Sequence, residues 1–278
     1  ITFIGGDGTS RRGTLVLPEG EGPFPCFVLH SGGGAVPRWD PGDTFSKRGW
    51  AVYSYDKRGL GESEGSFERG LISGLVEDAV AAGDMLNMRP ELDPERIVFR
   101  GLGQAAQVRL VAATLSDVYA AAVLGSCAWD GKVFPSLAEA RIHNVLAPFY
   151  QWDEQTIAAY RKASISQWAE WLYEDRNEVA LLKRKVSLGG LREQAEFDLY
   201  TTLLKSGMPV LLLQGQDDDW TPVEGVERLL ARDMADHVTI QEFPGLGADL
   251  GGIAGEAGFA PVVEESVFSW LDGVLEGD

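Results

Sequence analysis

Strand-like and helix-like segments alternate along most of this 278-residue chain, and that alternation limits the fold more than any other feature. Short runs of apolar and β-branched residues are separated by longer stretches with helical periodicity. This order is typical of an α/β fold, in which helices cover a mainly parallel sheet. The predicted strands cover residues 13–18, 24–30, 50–56, 96–101, 120–127, 209–215 and 237–245, and the predicted helices cover 67–88, 103–116, 222–234 and 260–275.

The strand signals stop between residues 129 and 206. That segment carries aromatic residues such as Trp152 within helix-favouring stretches, so we expect a helical insertion between two strands of the sheet. The chain is long enough for one sizeable domain with a large core. We therefore predict a core made of residues 1–129 and 207–278, with a helical cap at 130–206.

Charge and cysteine content exclude several classes of protein. The formal net charge of −18 repels polyanions, so we expect no nucleic-acid partner. No apolar run approaches the roughly 18 residues that span a bilayer, so we expect no membrane insertion. The two cysteines, Cys26 and Cys127, make no disulfide framework, and no pattern of Cys and His resembles a zinc site. We expect a protein of the reducing cytoplasm without a bound metal.

The segment RIVFRGLGQAAQVRLVAA, residues 96–113, is the most informative local motif. A β-branched and apolar run meets the turn Gly101-Leu102-Gly103-Gln104-Ala105, and a helical pattern follows. This layout is that of a nucleophile elbow, Gly-x-Ser-x-Gly, in which a strained turn raises a serine hydroxyl above the sheet. The central position here is Gly103, which has no hydroxyl.

The same turn also fits a second template. The letters GLGQAA satisfy Gly-x-Gly-x-x-Ala after a strand and before a helix, as a dinucleotide-binding fingerprint does. That fingerprint usually opens the first βαβ unit, and an acidic residue ends the next strand about 20 residues later. Here the motif lies in mid-chain and the next predicted strand ends in Ser126-Cys127. The surrounding loops therefore favour the elbow interpretation over nucleotide binding.

Four loops make the chain similar to the α/β-hydrolases with a helical cap. HSGGGAVPRWD (30–40) resembles the glycine-rich loop after the third strand, and YDKRGLGESEG (55–65) resembles the Asp-x-Arg-Gly-x-Gly-x-Ser loop. GQDDDWTP (215–222) resembles the turn that carries the triad acid, and FPGLGADLGG (243–252) resembles the late loop that carries the triad histidine. The resemblance covers nearly the whole chain outside the cap.

The resemblance implies an α/β-hydrolase fold and assigns each site position. Gly103 takes the nucleophile position, Asp218 the acid position and Ala248 the base position, while the backbone N–H groups of Gly32 and Gln104 form the oxyanion hole. A serine hydroxyl needs an imidazole to take its proton, and the carboxylate only orients that imidazole. Because two of the three side chains are missing, we expect no acyl-enzyme chemistry by the family mechanism.

Other residues are candidates for lining the substrate site. A residue at a strand end beside the elbow can face the pocket, and aromatic side chains above a cleft make an apolar ligand site. Each also has a purely structural interpretation: a buried thiol is usually a small hydrophobe rather than a nucleophile, and cap residues can belong to a core. The candidates are Cys127, Trp129, His143 and Trp152.

Four further polar positions are interpreted as structural. His30 is expected to be a hydrogen-bonded loop histidine, and His237 opens a late strand away from the pocket. Asp56 and Arg58 are expected to pair with each other and to hold loops near the sheet edge.

Two origins of the incomplete triad remain open. Gly103 and Ala248 look like a pair changed to trap a substrate, whereas Ala105, where the family usually has its second elbow glycine, fits natural divergence. We expect a protein derived from a hydrolase of small apolar ester, acyl or carbonyl compounds. The alternatives are a lyase, cyclase or isomerase that uses the oxyanion hole without a covalent step, and a non-catalytic protein that binds small molecules. The resemblance implies no metal or organic cofactor, and the oligomeric state is open.

Overall fold

The computed structural model describes residues 1–30, 38, 45–67, 72–127, 147, 151–173, 178–181, 184–219, 221, 224–252 and 258–275. The strands in these ranges are β1 (Thr2–Ile4), β2 (Ser10–Val16), β3 (Phe24–His30), β4 (Ala51–Tyr55), β5 (Leu92–Leu102), β6 (Ala121–Gly125), β7 (Glu178–Leu181), β8 (Arg184–Ser187), β9 (Val210–Gly215) and β10 (Val238–Phe243). The α-helices are α1 (Ile72–Asn87), α2 (Gln104–Ala113), α3 (Glu154–Tyr173), α4 (Leu188–Glu196), α5 (Leu199–Ser206), α6 (Glu224–Leu230) and α7 (Pro261–Leu275).

Eight of these strands form one sheet, in the order β1-β2-β4-β3-β5-β6-β9-β10. The pairs β1–β2 and β2–β4 are antiparallel, and the pairs from β4 through to β10 are parallel. The carboxyl ends of parallel strands lie at one edge of a sheet, which is where such folds place their sites. The predicted mainly parallel sheet is therefore confirmed, and the ends of β3, β5, β6 and β9 lie at the same edge.

Apolar residues bury both faces of the sheet, as a parallel sheet between helices requires. One face packs against helices α1, α2 and α5, through buried side chains such as Leu86, Leu110 and Leu203. The other face packs against helix α7, where Val263 and Val267 are fully buried. These two layers hold the strand ends, and hence the loops that follow them, in fixed positions.

The prediction that strands stop between residues 129 and 206 is wrong in one place. Strands β7 and β8 form a separate antiparallel pair in which Val179 lies opposite Val186. Each strand has only that one β-branched residue, so cross-strand pairing supplies what local propensity does not. Strand β1 was also missed, because its three residues are too few to show a period.

In the described part of 130–206 the helices are α3, α4 and α5, and α5 packs against the core sheet through Leu203. Helix α4 is joined to the core by Glu193, whose carboxylate accepts hydrogen bonds from the backbone N–H groups of Ile72 (2.7 Å) and Ser73 (2.9 Å). These N–H groups belong to the first turn of α1 and have no acceptor within that helix. Glu193 therefore caps α1 from another element. The domain boundaries themselves stay a prediction.

The predicted pair between Asp56 and Arg58 is wrong. Asp56 accepts a hydrogen bond from the backbone N–H of Arg38 (2.8 Å) and forms an ion pair with the Arg38 side chain. Arg58 instead pairs with Asp78 of α1, with 2.9 Å between Nε and Oδ2. The two residues follow β4 but turn to different elements, so each holds a different part of the molecule to the strand end.

Candidate functional site

The turn between β5 and α2 has the backbone geometry of a nucleophile elbow. Gly103 separates the two elements with φ of 56° and ψ of −124°, so the positive φ that the elbow interpretation predicts is confirmed. Helix α2 lies directly on the strand end, because a Cβ built on Gly101 would come within 2.7 Å of the backbone nitrogen of Ala106. Only glycine at position 101 allows this close approach.

The elbow keeps room for a side chain at its tip. A Cβ built on Gly103 would meet its nearest heavy atom, the carbonyl oxygen of Ser126, at 4.0 Å, which is an ordinary van der Waals contact. Gly103 is also half-buried rather than enclosed. Position 103 therefore has space for a side chain, and it lacks a hydroxyl only because the residue is glycine.

Of the three aspartates in the turn after β9, only Asp218 is buried. Its Oδ1 accepts a hydrogen bond from the backbone N–H of Thr221 (2.8 Å), and its Oδ2 accepts one from Nε2 of Gln214 (3.0 Å). Asp217 and Asp219 are exposed. A buried carboxylate with two donors is fixed in orientation. The role of Asp218 as the triad acid stays a prediction.

The loop after β10 packs against the acid turn. A Cβ built on Gly215 would overlap the carbonyl oxygens of Leu246 (2.2 Å) and Gly247 (2.4 Å), and the N–H of Asp217 donates to Leu246 O (2.9 Å). The backbone of Ala248, next in sequence, is half-buried. The acid position and the base position therefore lie on two loops in direct contact.

Ser126, which the sequence reasoning did not single out, connects all three positions. Its hydroxyl donates to the carbonyl of Ala248 (2.7 Å), and its own carbonyl accepts from the Thr221 hydroxyl (2.9 Å) and lies closest to the side-chain position of Gly103. Ser126 also has a φ of 48°, which non-glycine residues seldom adopt outside functional or tightly constrained sites. A short sequence such as GSC carries no signal for that conformation. The distance between the Cα atoms of Gly103 and Ala248 stays a prediction of close approach.

Cys127 is enclosed and has no thiolate character near neutral pH. It is 2% exposed, and burial together with the negative charge of Asp218 raises the pKa of its thiol to about 12. A nucleophilic cysteine needs the opposite environment, partly exposed and electropositive. The geometry favours the structural interpretation of this residue.

His30 differs from the expectation of a hydrogen-bonded loop histidine. It is the last residue of β3 and only 1% exposed, and among the described residues neither ring nitrogen finds a hydrogen-bond partner. Burial, with the positive charges of Arg109 and Lys57, holds its pKa well below 6.5. His237 fits its structural interpretation, since Nε2 lies 3.0 Å from the carbonyl oxygen of Leu203.

The structure describes two of the remaining predicted site residues, Gln104 and Trp152. Gln104 is the first residue of α2, so its backbone N–H has no acceptor within the helix and is free to serve a ligand oxygen. The ring of Trp152 contacts that of Tyr160 at a tilt of 44°, with 4.7 Å between ring centroids. Gly32, Trp129 and His143 lie outside the described residues, so their roles stay predictions.

In the described part of the chain, no group of three or more His, Cys, Asp or Glu side chains could hold a metal ion. Nor does any helix in those ranges have the length and apolar character to cross a membrane.

Sequence comparisons identify a matching family and several similar proteins. A family model described as serine aminopeptidase, S33, matches residues 26–248. The chain is 29% identical over 164 residues to thiohydrolase aneE of Aspergillus aculeatus, which covers 57% of this chain and 49% of that protein. It is 32% identical over 144 residues to polyketide transferase ATR5 of Stachybotrys chlorohalonatus, which covers 50% of this chain and 48% of that protein. The matches thus span about half the length of these relatives.

Solved structures resemble the fold over nearly the whole chain. The α/β-hydrolase GrgF from Penicillium has a TM-score of 0.68 at 17% identity, covering 99% of this chain and 98% of that one. Est1E from Butyrivibrio proteoclasticus with ferulic acid bound has a TM-score of 0.66 at 19% identity, covering 99% and 100%. Identities this low show the fold alone. Because the family model covers more than half of the chain, the protein belongs to the serine aminopeptidase S33 family and has the α/β-hydrolase fold.

Proposed function

We propose that this protein is an α/β-hydrolase with a disabled Ser-His-Asp triad, derived from a hydrolase of small apolar ester, acyl or carbonyl compounds. The observation that carries the proposal is the elbow at Gly103. It has positive φ, an open side-chain position and no hydroxyl. Asp218 lies buried and oriented beside a loop in which Ala248 supplies no imidazole.

The retained groups can bind and polarise a carbonyl without a covalent step. In this proposal the N–H groups of Gln104 and Gly32 donate to the ligand oxygen, and the amino end of α2 adds a favourable partial charge. No group stands at positions 103 and 248 to attack the carbonyl or to move a proton. We therefore expect the protein to bind a carbonyl ligand although it does not catalyse acyl transfer.

The names of similar proteins support a carbonyl-containing ligand. One relative is called a thiohydrolase, another a polyketide transferase, and one structural neighbour holds ferulic acid. We therefore place the ligand of this chain among small, largely apolar acyl compounds. We also propose a reducing cytoplasm as its location, where the buried thiols of Cys26 and Cys127 stay free.

Restoring the triad tests the proposal. Four proteins are compared at equal concentration on a short p-nitrophenyl ester: the parent, Gly103→Ser, Ala248→His and the double variant. Nucleophile and base act as a unit, so single restorations are expected to do little. The double variant is expected to release p-nitrophenol at least about a hundredfold faster than the parent, with a burst from an acyl-enzyme.

The matched control is Gly103→Ala/Ala248→His. It adds the same imidazole and a Cβ at the elbow but no hydroxyl, so it is expected to stay at the parent rate. If the double variant folds and is no faster than this control, the site has been rebuilt for other chemistry, and the lyase, cyclase or isomerase and the binding alternatives take its place. Turnover of a carbonyl ligand by the parent then separates an enzyme from a binder, which shows only a thermal shift.

A further inference from the structure

A group of buried polar side chains lies on the sheet face that α1 and α2 cover, and one of its members, His30, pairs in register with Gly101 next to the elbow. We define the buried polar cluster as His30, Tyr53, Tyr55 and Arg109. Each is at most 1% exposed. Polar groups in such places are normally hydrogen-bonded, so each exception calls for an explanation, often a water or an ion.

Arg109 is the unusual member. Its Nη1 donates to the hydroxyl of Tyr119 (2.8 Å), which in turn donates to the carbonyl of Ala79 (2.6 Å). Its Nε and Nη2 have no partner among the described residues, and no described carboxylate lies within 4.0 Å. By contrast, the equally buried Arg11 pairs with both Asp7 (2.7 Å) and Asp78 (2.8 Å).

The other three members surround this guanidinium with further donors. The Arg109 Cζ lies 5.3 Å from the ring centre of Tyr55, which is 5.9 Å from that of Tyr53 and 5.4 Å from that of His30. Neither tyrosine hydroxyl and neither ring nitrogen of His30 has a partner in the described structure. Burial raises the pKa of both tyrosines, so both hydroxyls keep their protons.

These groups offer one positive charge and several N–H and O–H donors, with few acceptors. Ordered water can satisfy the donors, but it leaves the guanidinium charge uncompensated in the interior, which is costly. A small anion satisfies the donors and neutralises the charge together. We propose that the buried polar cluster binds one small monovalent anion, of the halide class, between the Arg109 guanidinium and the hydroxyls of Tyr53 and Tyr55.

Thermal unfolding in different sodium salts tests this proposal. The melting temperature is measured in sodium chloride, sodium bromide and sodium gluconate at equal ionic strength, because gluconate is too large for a buried site. At a chloride concentration about tenfold above its Kd, binding to the folded state raises the melting temperature by roughly 2–4 °C over gluconate. The formal net charge of −18 disfavours anion binding at the surface, so a stabilising effect points to the interior.

Two variants locate the effect. Arg109→Met removes the charge and the donors while keeping a long side chain, and it is expected to abolish the difference between chloride and gluconate. Arg232→Met is the matched control, because Arg232 also lies over a tyrosine, 4.5 Å from the ring of Tyr200, but is exposed. An anion effect that survives in Arg109→Met overturns the proposal, as does a parent protein that melts alike in all three salts.

Bromide diffraction keeps the proposal testable if Arg109→Met fails to fold. Crystals of the unmodified protein grown in sodium bromide are expected to show an anomalous peak beside Nε or Nη2 of Arg109. Water molecules without an anomalous signal at that place overturn the proposal. Tyr55→Phe, which removes one hydroxyl donor and little else, is expected to reduce the chloride shift without abolishing it.

Discussion

The candidate site and the buried polar cluster both adjoin β5 and α2, yet they differ in composition. One has a hydrogen-bonded framework without reactive side chains, and the other has titratable side chains without a complete set of hydrogen-bond partners. At the site the framework is hydrogen-bonded, through Asp218, Thr221 and Ser126, while Gly103 and Ala248 supply neither a hydroxyl nor an imidazole. In the cluster the titratable side chains are present, but most of their polar atoms have no hydrogen-bond partner among the described residues. The scaffold of an α/β-hydrolase site is therefore maintained by contacts that do not depend on the nucleophile or the base.

The largest expected effect concerns the framework. Asp218→Ala removes the acceptor of the buried Thr221 N–H. It also removes one acceptor of Gln214, whose Nε2 keeps the carbonyls of Gly215 and Thr221. We expect a loss of roughly 3 kcal/mol in the free energy of unfolding, measured by urea denaturation. Asp219→Ala is the control, since Asp219 is an exposed neighbour and its loss is expected to matter little. Equal losses in both variants contradict the idea that Asp218 organises the site.

The elbow has glycine at positions 101 and 103 for different reasons, so substitutions at the two positions are expected to differ in cost. Gly101→Ala drives a Cβ to 2.7 Å from the Ala106 nitrogen, and backbone cannot easily give way, so we expect a loss of about 2–3 kcal/mol. Gly103→Ala has room but keeps a φ of 56°, which costs about 1–2 kcal/mol. Denaturation of the two variants side by side measures this order, and a reversed order contradicts the elbow geometry.

The fold was predictable from the sequence because strands buried on both faces are long apolar runs. Strands β3, β4 and β9 were predicted to within about a residue for this reason. The turn after β9 was also predictable from its motif, and counting along it points to Asp218, the one aspartate of that turn that is buried. Strands β7 and β8 were not, because their stability comes from pairing with each other rather than from their own residues.

Side-chain partners were the least predictable feature. Asp56 and Arg58 are two residues apart, so pairing between them is a natural expectation, but each reaches a residue that the fold brings near from elsewhere. Ser126 is a site residue only because three loops meet at it, and no local pattern shows this. Arg109 reads in the sequence as one polar position of a helix, and only packing against α1 and the sheet places it in the interior.

Acid pH is expected to lower the free energy of unfolding through His30, by less than the Asp218→Ala substitution does. The pKa of His30 is held well below 6.5 in the folded state by burial, Arg109 and Lys57, so the unfolded chain takes up a proton that the folded chain does not. Stability from this residue is present above pH 6.5 and falls below it. Between pH 7 and pH 5 the loss is about 2 kcal/mol.

Chemical denaturation across that pH range measures the effect in the parent, in His30→Leu and in His237→Gln. The His30 variant is expected to lose about 2 kcal/mol less than the parent on acidification, whereas the His237 control is expected to follow the parent. Parallel pH profiles in all three proteins contradict a neutral, buried His30.

The last prediction is that the two cysteines of the native protein do not react with an alkylating reagent. Both cysteines are buried and free, and burial with the charge of Asp218 raises the pKa of Cys127 to about 12, so at pH 8 only about one Cys127 in ten thousand is a thiolate. Native protein is therefore expected to resist iodoacetamide, while denatured protein reacts at both of its cysteines. Cys26→Ala isolates the response of Cys127, and Cys127→Ala is its matched control. Rapid labelling of Cys127 alone in the native protein would mean that the cleft holds an activated nucleophile. The candidate site would then contain a reactive side chain, and its contrast with the buried polar cluster would be wrong.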